Sequence, residues 1–314
     1  MRGLQQPKFA LLPTLRGRCA FAPLRFVHPR ITRNPDVNLN KFEVLKNEEG
    51  SFPFKTIIYP TQLNVFMVKL IAIGGGENGR PGTKYETRQI DEEIVRFSGK
   101  NHPKVLFIPP PSQFQEDYFK VMQKVFVRLG CDISPLYLSN PNPNKRELEE
   151  TILGVDIIYV GGGNTLKMLK YWRKHGIDKI LQKAAKKDIV LSGLSAGAIC
   201  WFKYAQSDSW KMTNPENPYI RVHGLDLIQA LCAPHFTREK DRYSDLRDIM
   251  KRSTGVGIAL EDCCAVEIIN REYRLITSKP DAQAYKVYWK NNKYHQETIE
   301  KKKTFSPLDE LLRK

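Results

Sequence analysis

Asp188-Ile189-Val190-Leu191-Ser192-Gly193-Leu194-Ser195-Ala196-Gly197-Ala198-Ile199-Cys200-Trp201-Phe202 is the stretch on which the reading of this chain turns. Asp188–Leu191 has the length and apolar content of a short buried strand, and Ala196 to about Phe202 can continue as a helix. Between them, Gly193-Leu194-Ser195-Ala196-Gly197 matches G-x-S-x-G, in which a serine sits on a sharp strand-to-helix turn and small neighbours let the chain pass closely. Five such residues are common by chance. The strand before them and the helix after them give the match its weight, because that helix would aim its N-terminus at negative charge developing on the serine's substrate.

Working outward, the same grammar repeats. Val68–Ile73 is a short apolar run ending in Gly74-Gly75-Gly76, and Lys104–Ile108 is another, stopped by three prolines. Phe114–Leu129 has helical spacing and stops at Gly130; Ile133–Leu138 reads as a strand and Arg146–Leu153 as a short helix. Asp156–Val160 is a fourth strand, opening into Gly161-Gly162-Gly163, after which Asn164 can cap a helix reaching about Lys174. Ile177–Ala185 reads as a further helix. Short apolar strands alternating with helices imply an α/β fold with a mostly parallel sheet buried on both faces. The loops after residues 73, 160 and 191 should then gather on one edge, at the carboxyl ends of the strands, where such sheets bind ligands.

A serine needs a base to become a nucleophile. Of the six histidines, His235 follows the apolar Leu231-Cys232-Ala233-Pro234 and should emerge at the end of a buried extended segment; His223 is the reserve. The imidazole needs a carboxylate to hold its tautomer. Asp208 could return from the end of the helix after Ser195, and Glu261 and Asp262, after the strand-like Val256–Leu260, compete with it. Two oxyanion donors are expected: the Ala196 N–H and a group from Gly163-Asn164. Gly161–Gly163 lacks the Lys-Ser/Thr of a phosphate-binding loop, and Gly74–Gly76 lacks a dinucleotide fingerprint.

With 314 residues, 41% of them hydrophobic, the chain can bury one sizeable core, and no run approaches the ~20 apolar residues of a membrane span. Residues 1–66 carry 10 Lys+Arg against 4 Asp+Glu and several prolines, and read as a basic appendage, poorly ordered. The domain proper is expected over 67–300, with 301–314 a charged tail. Of the net charge of +16, the body holds 40 Lys+Arg against 30 Asp+Glu, a net of +10 spread thinly, which argues for a solvated basic surface rather than a nucleic-acid patch. Six cysteines without metal-like spacing suggest reduced thiols and a cytoplasmic location.

Gly-Gly-Gly-Asn-Thr at 161–165, Ser-Ala-Gly-Ala at 195–198 and Pro-His-Phe-Thr at 234–237 resemble the motifs of the dipeptidase E family of serine peptidases, which includes the cyanophycinases. Ile71–Gly76 and the run Gly193–Phe202 resemble a bacterial branch described as dipeptidase-E-like or glutamine-amidotransferase-like, and the likeness covers 67–300. The resemblance implies a three-layer doubly wound sheet of the flavodoxin-like, class I glutamine amidotransferase-like type. It also implies Ser195 as nucleophile, His235 as base, and Gly163 and Ala196 as oxyanion donors. Asp208 falls at the usual acidic position, and Glu261 matches another family carboxylate. Asn164 and Arg238 would contact substrate, Arg238 as part of a basic pocket for an acidic side chain.

The expectation is a serine exopeptidase for short peptides, N-terminal aspartyl dipeptides among them. It would need no cofactor or metal, bind neither nucleic acid nor membrane, and act as a monomer or homodimer. An α/β-hydrolase esterase is the enzymatic rival, though only 40 residues separate Ser195 from His235, too few for the βα units that intervene in that fold. A binding protein that kept the elbow without turnover is the other.

Overall fold

The computed structural model describes residues 68–314, apart from positions 141 and 239; the segment 1–66 lies outside them. In chain order the elements are β1 (Lys69–Ile73), α1 (Arg88–Phe97), β2 (Lys104–Ile108), α2 (Gln115–Arg128), β3 (Asp132–Pro135), α3 (Lys145–Leu153), β4 (Ile157–Val160), α4 (Thr165–His175), α5 (Ile177–Ala184) and β5 (Val190–Leu194). There follow α6 (Ala196–Ile199), β6 (Phe202–Ser207), β7 (Ile220–His223), β8 (Ile228–Ala233), α7 (Lys240–Lys251), β9 (Gly257–Leu260), β10 (Cys264–Ile269), β11 (Glu272–Thr277), β12 (Ala284–Lys290), β13 (Lys293–Thr298), β14 (Ser306–Pro307) and α8 (Leu308–Leu312).

An eight-stranded sheet runs β14-β11-β10-β1-β5-β4-β2-β3. Its β1, β5, β4, β2 and β3 are parallel, while β10, β11 and β14 extend the other edge antiparallel. Because side chains alternate along a strand, each central strand feeds two cores. Ile71, Ile73, Val105, Phe107, Ile157 and Tyr159 pack under Ile90 and Ile94 of α1 and Met122 and Phe126 of α2. Leu70, Ala72, Leu106, Ile108, Ile158 and Val160 pack on the opposite face against Met168, Leu169 and Trp172 of α4 and Leu181 of α5. This is the α/β arrangement that the residue pattern implied, in the three-layer, class I glutamine amidotransferase-like form that the family resemblance implied.

The second core does not end at those helices. It runs on into a six-stranded sheet, β13-β12-β9-β8-β6-β7, through Phe202, Cys232, Ile258 and Leu260. The reverse face of β8 and β9 is covered by Leu246, Ile249 and Met250 of α7. Two expectations change here. The helix after Ser195 is one turn, Ala196–Ile199, and the chain re-enters a sheet at Phe202 instead of continuing helically. Residues 306–312 are not a free tail: β14 pairs with β11, and Leu308 and Leu311 are buried.

A buried carboxylate braces the loop after β1. Asp91, fully buried in the first turn of α1, accepts hydrogen bonds from the Thr87 hydroxyl (2.7 Å) and the Tyr85 hydroxyl (3.0 Å), and the Asn78 amide donates to Thr87 Oγ1 (2.8 Å). Burial pushes the Asp91 carboxyl up from 3.8 to about 7, although the two hydroxyls pull it down. The folded state therefore prefers the neutral acid. Its stabilisation is complete below the unfolded value and is lost as pH rises through the folded one. The uncharged Asp91→Asn variant should gain on the parent by roughly 4 kcal/mol between about pH 4 and pH 8, read by urea unfolding. A gap that stays constant with pH would refute the assignment.

Candidate active site

Ser195 has φ 55° and ψ −113°, outside the ordinary regions for a residue with a β-carbon. Tight packing holds it there. A β-carbon at Gly197 would lie 1.9 Å from the Val160 carbonyl oxygen, and one at Gly193 would lie 2.4 Å from the Gly197 carbonyl oxygen. The end of β4, the end of β5 and the turn of α6 can approach this closely only with glycine at both positions. Strain of this kind persists where the surrounding structure over-determines it, and it clusters at functional sites.

The loop after β1 organises the rest. β1 lies between β5 and β10, with Ile73 opposite Leu194 on one side and Ala265 on the other. Three consecutive carbonyls at its end accept from three distant segments: Ile73 O from Ser195 N (3.0 Å), Gly74 O from His235 N (3.1 Å) and Gly75 O from Cys263 N (2.8 Å). The three residues so held, Ser195, His235 and Cys263, all have positive φ. Gly75 is indispensable to this arrangement: a β-carbon there would fall 1.9 Å from Asp262 Oδ1 and 2.3 Å from His235 Nδ1. The triple glycine at 74–76, read above only for the dinucleotide site it could not form, is the seat of an imidazole and a carboxylate.

That carboxylate is Asp262. His235 Nδ1 lies 2.5 Å from Asp262 Oδ1, and Arg238 Nη1 is 3.4 Å from Asp262 Oδ2. The pairing follows from register. β8 and β9 are parallel neighbours with Ala233 opposite Ala259, so His235 and Asp262 leave adjacent strands at the same edge. Burial raises the Asp262 carboxyl, but the His235 hydrogen bond and the charges of His235 and Arg238 outweigh it and hold the group below the usual aspartate value. It is an anion wherever the histidine is useful as a base.

The other carboxylates lie elsewhere. Asp208, the first choice from sequence, is not the carboxylate that meets His235 Nδ1. It follows β6, its carbonyl accepts from Met212 N (3.0 Å), and its neighbour Ser209 is bonded to Asn164 and Leu166, while the His235 Nδ1 position is taken by Asp262. Glu261 is turned away by strand alternation and accepts from Gln283 N (2.9 Å) and the Tyr285 hydroxyl (3.0 Å). His223 is on β7, with its ring against Tyr204 and Nδ1 3.1 Å from the Gly224 carbonyl oxygen.

The glycine loop after β4 does come to the serine. A β-carbon on Gly162 would stand 3.4 Å from Ser195 Cβ, which sets Gly162 beside Ser195. Ala196 N–H, at the first position of a helix, has no intrahelical acceptor. Asn164 is a capping residue: its Oδ1 accepts from Lys167 N (3.0 Å) and its Nδ2 donates to the Ser209 carbonyl (3.0 Å). Both ends of that amide already have protein partners. Arg238 is exposed, on the outer side of Asp262.

A serine on a strand-to-helix elbow, with a histidine–aspartate pair hung from the neighbouring strand end, defines a serine hydrolase. Comparison narrows the class: a model described as peptidase family S51 matches residues 70–276, and the chain belongs to that family. It is 33% identical over 225 residues to the uncharacterized peptidase YgaJ of Bacillus subtilis (strain 168), covering 70% of this chain and 92% of that one. It is 25% identical to the uncharacterized peptidase PM1590 of Pasteurella multocida (strain Pm70), over 58% of this chain and 89% of the relative. Among solved structures, a peptidase from an acI-B1 Actinobacterium superposes with a TM-score of 0.55 at 15% identity, covering 77% of this chain and 97% of that one. A structure assigned as a peptidase E protein of Listeria monocytogenes EGD-e superposes at 0.50 and 20% identity, covering 67% and 98%. The protein is a serine peptidase of the peptidase E type.

Proposed function

We propose that the protein hydrolyses short peptides by acyl transfer to Ser195, cutting after the N-terminal residue, with N-terminal aspartyl dipeptides as the first substrate class. The single observation that carries the reading is the His235–Asp262 pair, hung from the same strand end as Ser195. In this reading His235 takes the proton from Ser195 Oγ as it attacks the scissile carbonyl, then gives it to the leaving amine, and water releases the acid in a second cycle. Asp262 keeps Nδ1 protonated and stabilises the imidazolium. The Gly163 and Ala196 N–H groups hold the oxyanion.

The aspartyl preference rests on Arg238, whose exposed guanidinium beside Asp262 is a cation within the site region. The family membership supports the peptidase chemistry. Among the described residues no helix is long and apolar enough to cross a membrane. Among the described residues, five buried free cysteines support a reducing, cytoplasmic setting.

The test is a panel of Asp-X, Glu-X and neutral dipeptides, with β-aspartyl-arginine included, beside labelling by a fluorophosphonate. Hydrolysis of Asp-X above the neutral peptides, with label on Ser195, is the expected result. Label without turnover of any peptide in the panel would overturn the exopeptidase reading, and indifference to the acidic residue would overturn the aspartyl preference.

A further inference from the structure

The glycine loop that reaches Ser195 has a second face, and α2 supplies what touches it. The Gly162 N–H donates to the hydroxyl of Tyr118 at 3.2 Å. A β-carbon on Gly161 would lie 2.7 Å from Tyr118 Cε1, so the ring edge is packed against the backbone of the loop. The ring is itself fixed, edge-on to Phe107 of β2 with centroids 5.0 Å apart. Gly163, with φ 155°, stands against Pro110, whose Cγ would be 2.5 Å from an added β-carbon. Residues 161–163 are thus clamped between Tyr118 and Pro110 on one face and Ser195 on the other.

From this geometry we infer that Tyr118 is a positioning residue for the oxyanion loop: its hydroxyl occupies the Gly162 N–H and leaves the Gly163 N–H as the donor offered to the developing oxyanion. The inference rests on Ser195 acting as proposed above. Burial raises the Tyr118 phenol while the Gly162 hydrogen bond lowers it, with burial dominant, so the ring stays neutral and the N–H meets an oxygen lone pair rather than an anion. Without the hydroxyl, the Gly162 N–H would lack its acceptor and the loop could rotate. A donor displaced by a fraction of an ångström stabilises the tetrahedral state less and leaves ground-state binding almost untouched.

Tyr118→Phe keeps the ring and removes the one contact. Expected are an unchanged melt, a roughly tenfold fall in the rate of Ser195 phosphonylation by a fluorophosphonate, and an equal fall in kcat with KM within about twofold on any dipeptide turned over. Amide exchange in the peptide spanning Gly161–Gly163 should quicken, which is a readout independent of activity. Unchanged labelling and unchanged exchange would overturn the role of Tyr118. A rise in KM with constant kcat would also overturn it, by making Tyr118 a ground-state contact. Labelling that persists in Ser195→Ala would instead remove the reading of Ser195 on which it stands, so the two failures are separable.

Discussion

Replacing Ser195 by alanine is expected to lower peptide turnover by about 10⁵-fold or more, because the acyl acceptor is removed and only the oxyanion donors and binding remain. The fold should not notice. Alanine keeps the β-carbon, so the backbone strain at φ 55° is the same in both proteins, and Ser195 N–H still donates to Ile73 O. A thermal melt within about 2 °C of the parent, with hydrolysis at background, is the outcome that fits. Turnover that survives the change would place the chemistry on another residue.

The second large effect concerns the carboxylate. Asp262→Asn should cost about 10³- to 10⁴-fold in kcat, since an amide at 2.5 Å from Nδ1 can present an N–H where the imidazole needs an acceptor, and the ring is then held in the wrong tautomer. Asp208→Asn and Glu261→Gln should each cost less than about tenfold, because neither carboxylate touches the imidazole. Parallel kinetics on the three variants decide the matter. A larger loss at Asp208 than at Asp262 would reassign the acid.

Much of this architecture was legible in the residues. Strand and helix alternation is a local property, and glycine at 193 and 197 announces a close approach before any coordinates exist. Ser195 and His235 were readable for that reason: each follows directly from an apolar strand-like run. The carboxylate was not, because its identity depends on which strands are neighbours. Asp208 is nearer Ser195 in sequence, whereas Asp262 is nearer His235 in space through the β8–β9 register, and no periodicity within one segment carries that information. The signal that could have chosen Asp262 over Glu261 was strand alternation after Leu260. It needs one further fact, that β12 lies on the side toward which Glu261 points. The role of Gly75 was hidden for the same reason, since a glycine chosen to admit a distant imidazole looks like any loop glycine. The helix after the elbow extends further in the sequence pattern than in the fold because Cys200-Trp201-Phe202 is equally apolar as helix or strand; the chain turns at Cys200-Trp201 and the buried Phe202 opens β6.

The three carbonyls at the end of β1 carry a consequence for how the molecule comes alive during synthesis. Each is joined to a segment more than a hundred residues later in the chain, the last of them beyond residue 260. Closing such loops is slow and comes late, after the strands between have found their neighbours. A nascent chain can carry Ser195 on its elbow before Asp262, the partner of His235 Nδ1, has been synthesised. Of the three groups, the carboxylate is the last to be made, so the histidine of an unfinished chain lacks the partner that would hold its ring.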